Sequence, residues 1–301
     1  MLLIKNLSDL LKAAKNKQPK KMVIACAAHA VIMQAVKYAC EENIIEPVLL
    51  CNQEEIEKIA SSAGFSLSKT IIIHTPYAEE ACQQAVNLIR SKQADILMKG
   101  MVSTSAFLKP IVNRDNGLTN KKLISHFALF EIPGYHKLLG IADVAINISP
   151  DFSEKTEILK NSVEIFHKLG IKMPKIAVIA AVETVNLKME ATVHAAMLCM
   201  MNKRNQITGC IVEGPLAIDN AISRQAAESK NIAGEVAGDA DFLLAPDLNS
   251  GNILYKALNF MGGATSASIV AGASVPIVLT SRADSETSIL MSIALAAITA
   301  H

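Results

Sequence analysis

In Val275–Asp284, VPIVLTSRAD, an apolar strand runs straight into Thr280, Ser281 and Arg282, and a helical pattern follows within a few residues. Ligands of open parallel sheets bind beyond the carboxyl ends of strands. The next helix points unpaired N–H groups and its positive dipole end at that place. An Arg there grips an oxyanion through two parallel hydrogen bonds, and a Ser hydroxyl beside it donates another. Together these residues describe a phosphate site. The structural alternative is a helix cap by Ser281 or Ser285 beside a surface Arg282.

Three further strand ends have a similar make-up. In Val236–Lys256, VAGDADFLLAPDLNSGNILYK, the strand Phe242–Ala245 meets Pro246, Asp247, Asn249, Ser250, Gly251 and Asn252. A loop so rich in turn formers suits binding, with Lys256 one turn into the next helix, although an ordinary capped turn has the same composition. In Lys99–Lys109, KGMVSTSAFLK, Ser103 or Thr104 is placed to cap a helix, and Lys99 and Lys109 are either anion-facing or solvated. In Glu213–Asp219, EGPLAID, Asp219 is the expected cap. One sheet edge would gather all four strand ends into a single cleft.

Other chemistries lack their motifs. The sequence has no G-x-G-x-x-G after a strand, no G-x-x-x-x-G-K-[ST], no H-E-x-x-H and no G-x-S-x-G. None of the seven histidines has metal-ligand spacing, so no metal is expected. Six cysteines without a C-x-x-C pair suit reduced thiols in a cytoplasmic protein. The 29 basic and 28 acidic residues give no field for a polyanion, which disfavours nucleic acid. Mean hydropathy is +0.31, yet Ile289–Ala300 spans roughly 18 Å as a helix, short of the ~30 Å membrane core. The opening MLLIKNLSDLLKAAKNK reads as an amphipathic helix without a small-residue cleavage site, so neither membrane nor secretory signal is expected.

The elements that must position these residues alternate. Strands are expected at Met22–Cys26, Pro47–Cys51, Thr70–His74, Asp95–Lys99, Val144–Ile148, Ile176–Ala181, Gly209–Glu213, Phe242–Ala245 and Pro276–Thr280. Helices are expected at 30–42, 53–63, 77–92, 103–113, 153–169, 184–202, 218–229, 250–261 and 285–299. Gly64, Gly170 and Gly209 sit where helix C-caps are expected. Near-continuous apolar strands imply sheets covered on both faces, hence an α/β fold. With no linker in sight, a second domain must be an insertion, crossing near Asn113–Lys122 and returning near Gly262–Gly272.

The segments LMKGMVST at 97–104, LISHF at 123–127, EGPLAIDNAIS at 213–223, VAGDADFLLAPDLNSGNILYK at 236–256 and VPIVLTSRADS at 275–285 carry a resemblance. The chain resembles the phosphate acetyl/butyryltransferase family, from about residue 20 to its end. The resemblance implies two α/β domains with an interdomain cleft, isocitrate/isopropylmalate dehydrogenase-like without the dinucleotide chemistry. The first domain would be 1–120 plus 270–301, the second 121–269. It implies a homodimer or higher oligomer, coenzyme A and phosphate as substrates, and no permanently bound cofactor. It places Ser281 and Arg282 in the active site, Arg282 on phosphate and Ser281 on the developing oxyanion. Lys99, Ser103, Thr104, Lys109, Asp247, Asn249, Gly251, Asn252 and Lys256 are the substrate-binding candidates.

Two departures from the acetyl branch favour the butyryl branch. Lys109 stands where that branch has an Arg, and Lys lacks the bidentate fork. Ser288, with Glu286 close by, stands where it has an Asp proposed to help deprotonate coenzyme A. The expected reaction is direct acyl transfer between coenzyme A and phosphate in a ternary complex, butyryl favoured over acetyl or branched chains. His126 is either the base, reached through space, or a satisfied core histidine; the core reading is preferred. The rival outside enzymes is a non-catalytic module that binds coenzyme A or phosphate without turnover.

Overall fold

The computed structural model describes residues 4–119, 122–279, 281 and 284–301. The chain divides into two compact units, one of residues 7–124 and 267–301, the other of 1–6 and 125–266.

The first unit runs α1 (Leu7–Lys15), β1 (Lys20–Ala25), α2 (Ala30–Glu41), β2 (Ile45–Cys51), α3 (Gln53–Ser62), β3 (Ile71–His74), α4 (Ala78–Arg90), β4 (Ile96–Lys99) and α5 (Thr104–Ile111). The second continues with β5 (Ser125–Glu131), β6 (Leu139–Ala142), α6 (Phe152–Lys168), β7 (Lys175–Ile179), α7 (Glu190–Lys203), β8 (Ile211–Leu216), α8 (Ile218–Ile222), α9 (Arg224–Ser229), β9 (Phe242–Leu244) and α10 (Leu248–Phe260). The chain then returns through β10 (Thr265–Ala271), within which the unit boundary falls, to β11 (Ile277–Val278) and α11 (Glu286–Thr299).

In the first unit the strand order is β3-β2-β1-β4-β11-β10. Neighbours from β3 to β11 are parallel, and β10 is antiparallel to β11. The last four residues of β1 and all of β4 are buried, as expected of strands with helices on both faces. In α4 the buried residues Ala81, Cys82, Ala85, Val86 and Ile89 recur at helical spacing and mark the face turned to the sheet. Helix α11 is buried almost all round and packs against α1 and α2. The Ile298 carbonyl in its last turn accepts from Lys17 Nζ (3.1 Å), filling an acceptor that no helical N–H reaches, and the His301 carbonyl just beyond the helix accepts from Lys20 Nζ (2.6 Å).

In the second unit the order is β5-β6-β9-β7-β8. Strands β6, β9, β7 and β8 are mutually parallel, and β5 is antiparallel to β6. Phe127, Phe166 and Phe242 form a ring cluster with centroids 5.5–6.2 Å apart on the α6 side. Helix α6 begins in a capping box: Asp151 accepts from Glu154 N (2.8 Å), and Glu154 accepts from Asp151 N (2.9 Å).

Several expected elements differ, each for a local reason. Val144–Ile148 is a turn, not a strand. The Asp143 carboxylate captures the N–H groups of Ala145 and Ile146 at 2.8 and 2.9 Å, in competition with a ladder. The strands missed are β5, β6 and β10, and each of them has an antiparallel partner. The helix expected at 184–202 starts only at Glu190, because Asn186 Oδ1 holds Lys188 N (3.0 Å) in a local turn. The helix expected at 218–229 breaks at Ser223, whose extended backbone lets its hydroxyl cap α9. Ala217, not Asp219, occupies the N-cap of α8, and Asp219 pairs with Lys230 at 3.2 Å. Gly64 and Gly170 follow helix ends with positive φ as expected, but Asn205 has that place after α7. Gly209 instead gives its carbonyl to His167 Nε2 at 2.7 Å.

Candidate active site

Strands β4 and β11 are parallel neighbours in register, Leu97 beside Ile277 and Met98 beside Val278. Their carboxyl ends therefore bring Lys99 and Leu279 out side by side. Strand β1 flanks β4 on the other side, Ala25 beside Lys99. Gly100 and Met101 donate their N–H groups to the carbonyls of Ala25 and Cys26, both at 2.8 Å. A Cβ at Gly100 would lie 2.0 Å from the Cys26 carbonyl oxygen, so only glycine lets the backbones come this close.

Lys99 is buried, and its ammonium donates to the carbonyls of Gly100 and Val102, each at 3.1 Å. It thus closes the turn it starts. Ser103 caps α5 by accepting from Ala106 N (3.2 Å). Thr104 is exposed in the first turn of α5, and Lys109 in its last. Ser281 is exposed; its N–H donates to Asp284 Oδ2 (2.7 Å), and Asp284 N returns a bond to the Ser281 carbonyl (3.2 Å). Arg282 lies outside the described residues. Ser285 caps α11, accepting from Ser288 N at 3.1 Å, and Glu286 lies in its first turn.

The other candidates lie on the second unit's carboxyl edge. Asp247 caps α10, accepting from the N–H and hydroxyl of Ser250 at 2.8 and 3.1 Å. The helix starts at Leu248, so Asn249, Gly251 and Asn252 are helical rather than loop residues. Lys256 is two turns in, not one. Asn249, Ile253, Lys256 and Phe260 share the exposed face of α10. Asn252 Nδ2 donates to the Val144 carbonyl at 2.8 Å. A Cβ on Gly251 would meet the Asp143 carbonyl oxygen at 2.1 Å.

Two carboxylates that shape this edge escaped the sequence reading. Asp143 collects N–H groups from His126, Ala145, Ile146 and Asn147, and the Asn147 side chain at 2.6 Å. Glu213 accepts from Glu235, Val236 and Ala237 N at 2.8, 3.1 and 3.3 Å and fixes the start of the 236–256 segment. An acidic residue at an apolar strand's end, ahead of a run without periodicity, is the only signal for either. Among the described residues no group of three or more His, Cys, Asp or Glu is placed to hold a metal. None of their helices is long and apolar enough to cross a membrane.

His126 lies on the face of β5 shared with Ala128 and Phe130, and Phe130 meets Tyr255 of α10 at 5.4 Å. It is a core histidine, but not a satisfied one: neither ring nitrogen has a hydrogen-bond partner among the described residues. Burial lowers its pKa to about 4, against the opposing pull of Asp143. The folded protein therefore refuses a proton that the unfolded chain accepts near 6.5. Stability from this residue is intact above pH 6.5 and falls as pH drops toward 4, by on the order of 3 kcal/mol. Denaturant melts across that window will show a shallower loss in His126→Gln than in the parent chain. Equal slopes would mean the ring titrates normally.

The family profile described as Phosphate acetyl/butaryl transferase matches residues 73–297. A phosphate butyryltransferase of Clostridium acetobutylicum is 41% identical over 298 residues, 99% of each chain. A phosphate acetyltransferase of Thermotoga maritima is 41% identical over 292 residues, 97% of this chain and 99% of that one. Among solved structures, a branched-chain phosphotransacylase from Enterococcus faecalis superposes with a TM-score of 0.82 at 32% identity, covering 94% of this chain and 100% of that one.

Proposed function

This chain belongs to the phosphate acetyl/butaryl transferase family, and from that premise we propose that it moves a short acyl group, butyryl by preference, reversibly between coenzyme A and inorganic phosphate. The observation that carries the reading is end-to-end likeness to a phosphate butyryltransferase over the whole of both chains. Relatives named for acetyl and branched-chain transfer are related nearly as broadly, so the acyl preference rests on Lys109 and Ser288.

In the proposed mechanism both substrates are bound together. The thiolate of coenzyme A attacks the acyl phosphate carbonyl, or phosphate attacks the thioester in reverse. Either attack builds negative charge on the carbonyl oxygen. Ser281 donates to that oxygen, and Arg282 holds the phosphate in a bidentate grip. Coenzyme A and phosphate enter as substrates, and the scheme calls on no resident cofactor. The resemblance to the isocitrate and isopropylmalate dehydrogenase architecture belongs to the same proposal. So does a homodimer or higher oligomer, supported by exposed Leu187, Met197 and Met200 on and just ahead of α7.

Thiol release from an acyl-CoA series with phosphate tests the reading. Butyryl-CoA is expected to give the highest kcat/KM, roughly 30-fold or more over acetyl-CoA, since butyryl adds two methylenes and each in an apolar pocket is worth about 1 kcal/mol or more. A maximum at acetyl-CoA would overturn the preference, and no release from any acyl-CoA would overturn the activity. Parallel initial-rate lines would replace the ternary complex with a covalent intermediate.

A further inference from the structure

Both backbone polar groups of Ser281 are held by one residue. The N–H donates to Asp284 Oδ2 at 2.7 Å, and the carbonyl accepts from Asp284 N at 3.2 Å. Ser281 and Asp284 lie in the same unit, the one that carries β11 and α11. Asp284 is half-buried, whereas Ser281 is exposed.

The far side of Asp284 is anchored. It stands one residue ahead of Ser285, the N-cap of α11, a helix buried almost all round. In the second turn of that helix, Ser292 Oγ donates to the Ser288 carbonyl (2.7 Å) and accepts from Ser268 N in β10 (2.9 Å). The start of α11 is therefore tied to the sheet. The Asp284 carboxylate is not the cap of this helix, because Ser285 already accepts from Ser288 N at 3.1 Å. It turns back along the chain to Ser281 instead.

A carboxylate on a backbone N–H makes a short, charge-assisted bond. Here that bond restrains the peptide plane ahead of Ser281, and the return bond from Asp284 N restrains the plane behind it. The two planes set the direction in which the Cα–Cβ bond leaves the backbone. The serine side chain then has one torsion left with which to aim its hydroxyl. A catalytic group displaced by about 1 Å loses on the order of 100-fold in rate, so this direction matters.

We propose that Asp284 is a positioning residue for the acyl transfer: it clasps the Ser281 backbone so that the Ser281 hydroxyl meets the oxygen on which charge develops. The inference rests on the phosphate acyltransferase reading and gives Asp284 no proton to carry. An amide at this position accepts the same bond from Ser281 N, which separates the role from that of a base.

The test uses the full chain, with initial rates at saturating butyryl-CoA and phosphate and a thermal melt of each preparation. Asp284→Ala is expected to lower kcat about 30–100-fold, with KM within about threefold. Its melting temperature should fall by no more than a few degrees, because Ser285 still caps α11. Asp284→Asn keeps the acceptor and should run within about fivefold of wild type. Asp284→Glu carries the charge on a longer arm and should lose about tenfold. In a Ser281→Ala background, Asp284→Ala should cost less than about threefold more, because the hydroxyl it aims is already gone. A merely structural residue would cost the same in both backgrounds. The proposal fails if Asp284→Asn is as slow as Asp284→Ala, which would make the carboxylate a base. It fails equally if the two losses multiply in the double variant. Should Asp284→Ala fail to fold, Asp284→Glu takes its place in that comparison. A wild-type chain that releases no thiol from any acyl-CoA refutes the acyltransferase reading itself, whereas multiplying losses in an active enzyme refute only the role of Asp284.

Discussion

Ser281→Ala will lower kcat by about 10²–10³ and leave KM within a few-fold, because its hydroxyl matters most when charge sits on the carbonyl oxygen. A donor aimed at the ground state would stabilise substrate and transition state alike and would appear in KM. The surroundings make the experiment clean. The turn at this residue is closed through the backbone atoms of Ser281: its N–H donates to the Asp284 carboxylate, and its carbonyl accepts from Asp284 N. Removing Oγ leaves both bonds in place, and the side chain is exposed, so no cavity forms. The melting temperature should stay within a degree or so of the parent. Saturating initial rates with butyryl-CoA and phosphate give the answer. A kcat within threefold of wild type would remove Ser281 from the mechanism.

Gly251→Ala should cost about 1–2 kcal/mol of stability and most of the activity. Two effects oppose each other. Alanine favours a helix over glycine by roughly 0.5–1 kcal/mol. Against this, its Cβ would lie 2.1 Å from the Asp143 carbonyl oxygen and 3.2 Å from the Ala245 Cβ. The first contact is backbone, pinned by the Asp143 carboxylate's own bonds to the loop behind it, and cannot swing aside. Helix α10 must lift instead, which strains the bond from Asn252 to the Val144 carbonyl and displaces the Asp247 cap. Overpacking of this kind costs about 1–3 kcal/mol, so the clash outweighs the propensity gain. Thermal melts and acyl-CoA kinetics on one preparation separate the roles. An unchanged melt with a raised KM would show that Gly251 faces substrate rather than the strand loop.

Both predictions concern segments whose importance was legible, but for different reasons. Ser281 was found from residue type: a hydroxyl at the end of an apolar strand, ahead of a helix. Gly251 was found as one turn former among several in a supposed loop. The structure makes it the contact point of a helix already under way. The difference is physical, because helix starts depend on capping, and Asp247 accepts from Ser250 N so that the helix begins ahead of Asn249 and Asn252. His126 shows the same limit. Its core place was preferred in the sequence, but the strand that holds it was not expected, and nothing local reveals that neither nitrogen meets a partner among the described residues. Lys155 reads in sequence as one more solvated lysine of an amphipathic helix. Its burial against His194 joins residues 39 apart, beyond the reach of periodicity.

The sequence by itself determined the alternating strands and helices, the strand ends where chemistry collects, and the family to which they point. Those follow from side-chain periodicity and local turn chemistry, which act over a few neighbouring residues. Only the tertiary structure decided that β4 and β11 lie side by side, that Asp143 and Glu213 hold the loops of the second unit, and that the ring of His126 is orphaned. Strand order, backbone approach and burial depend on groups far apart in the chain. They take definite values only once the core has closed around them.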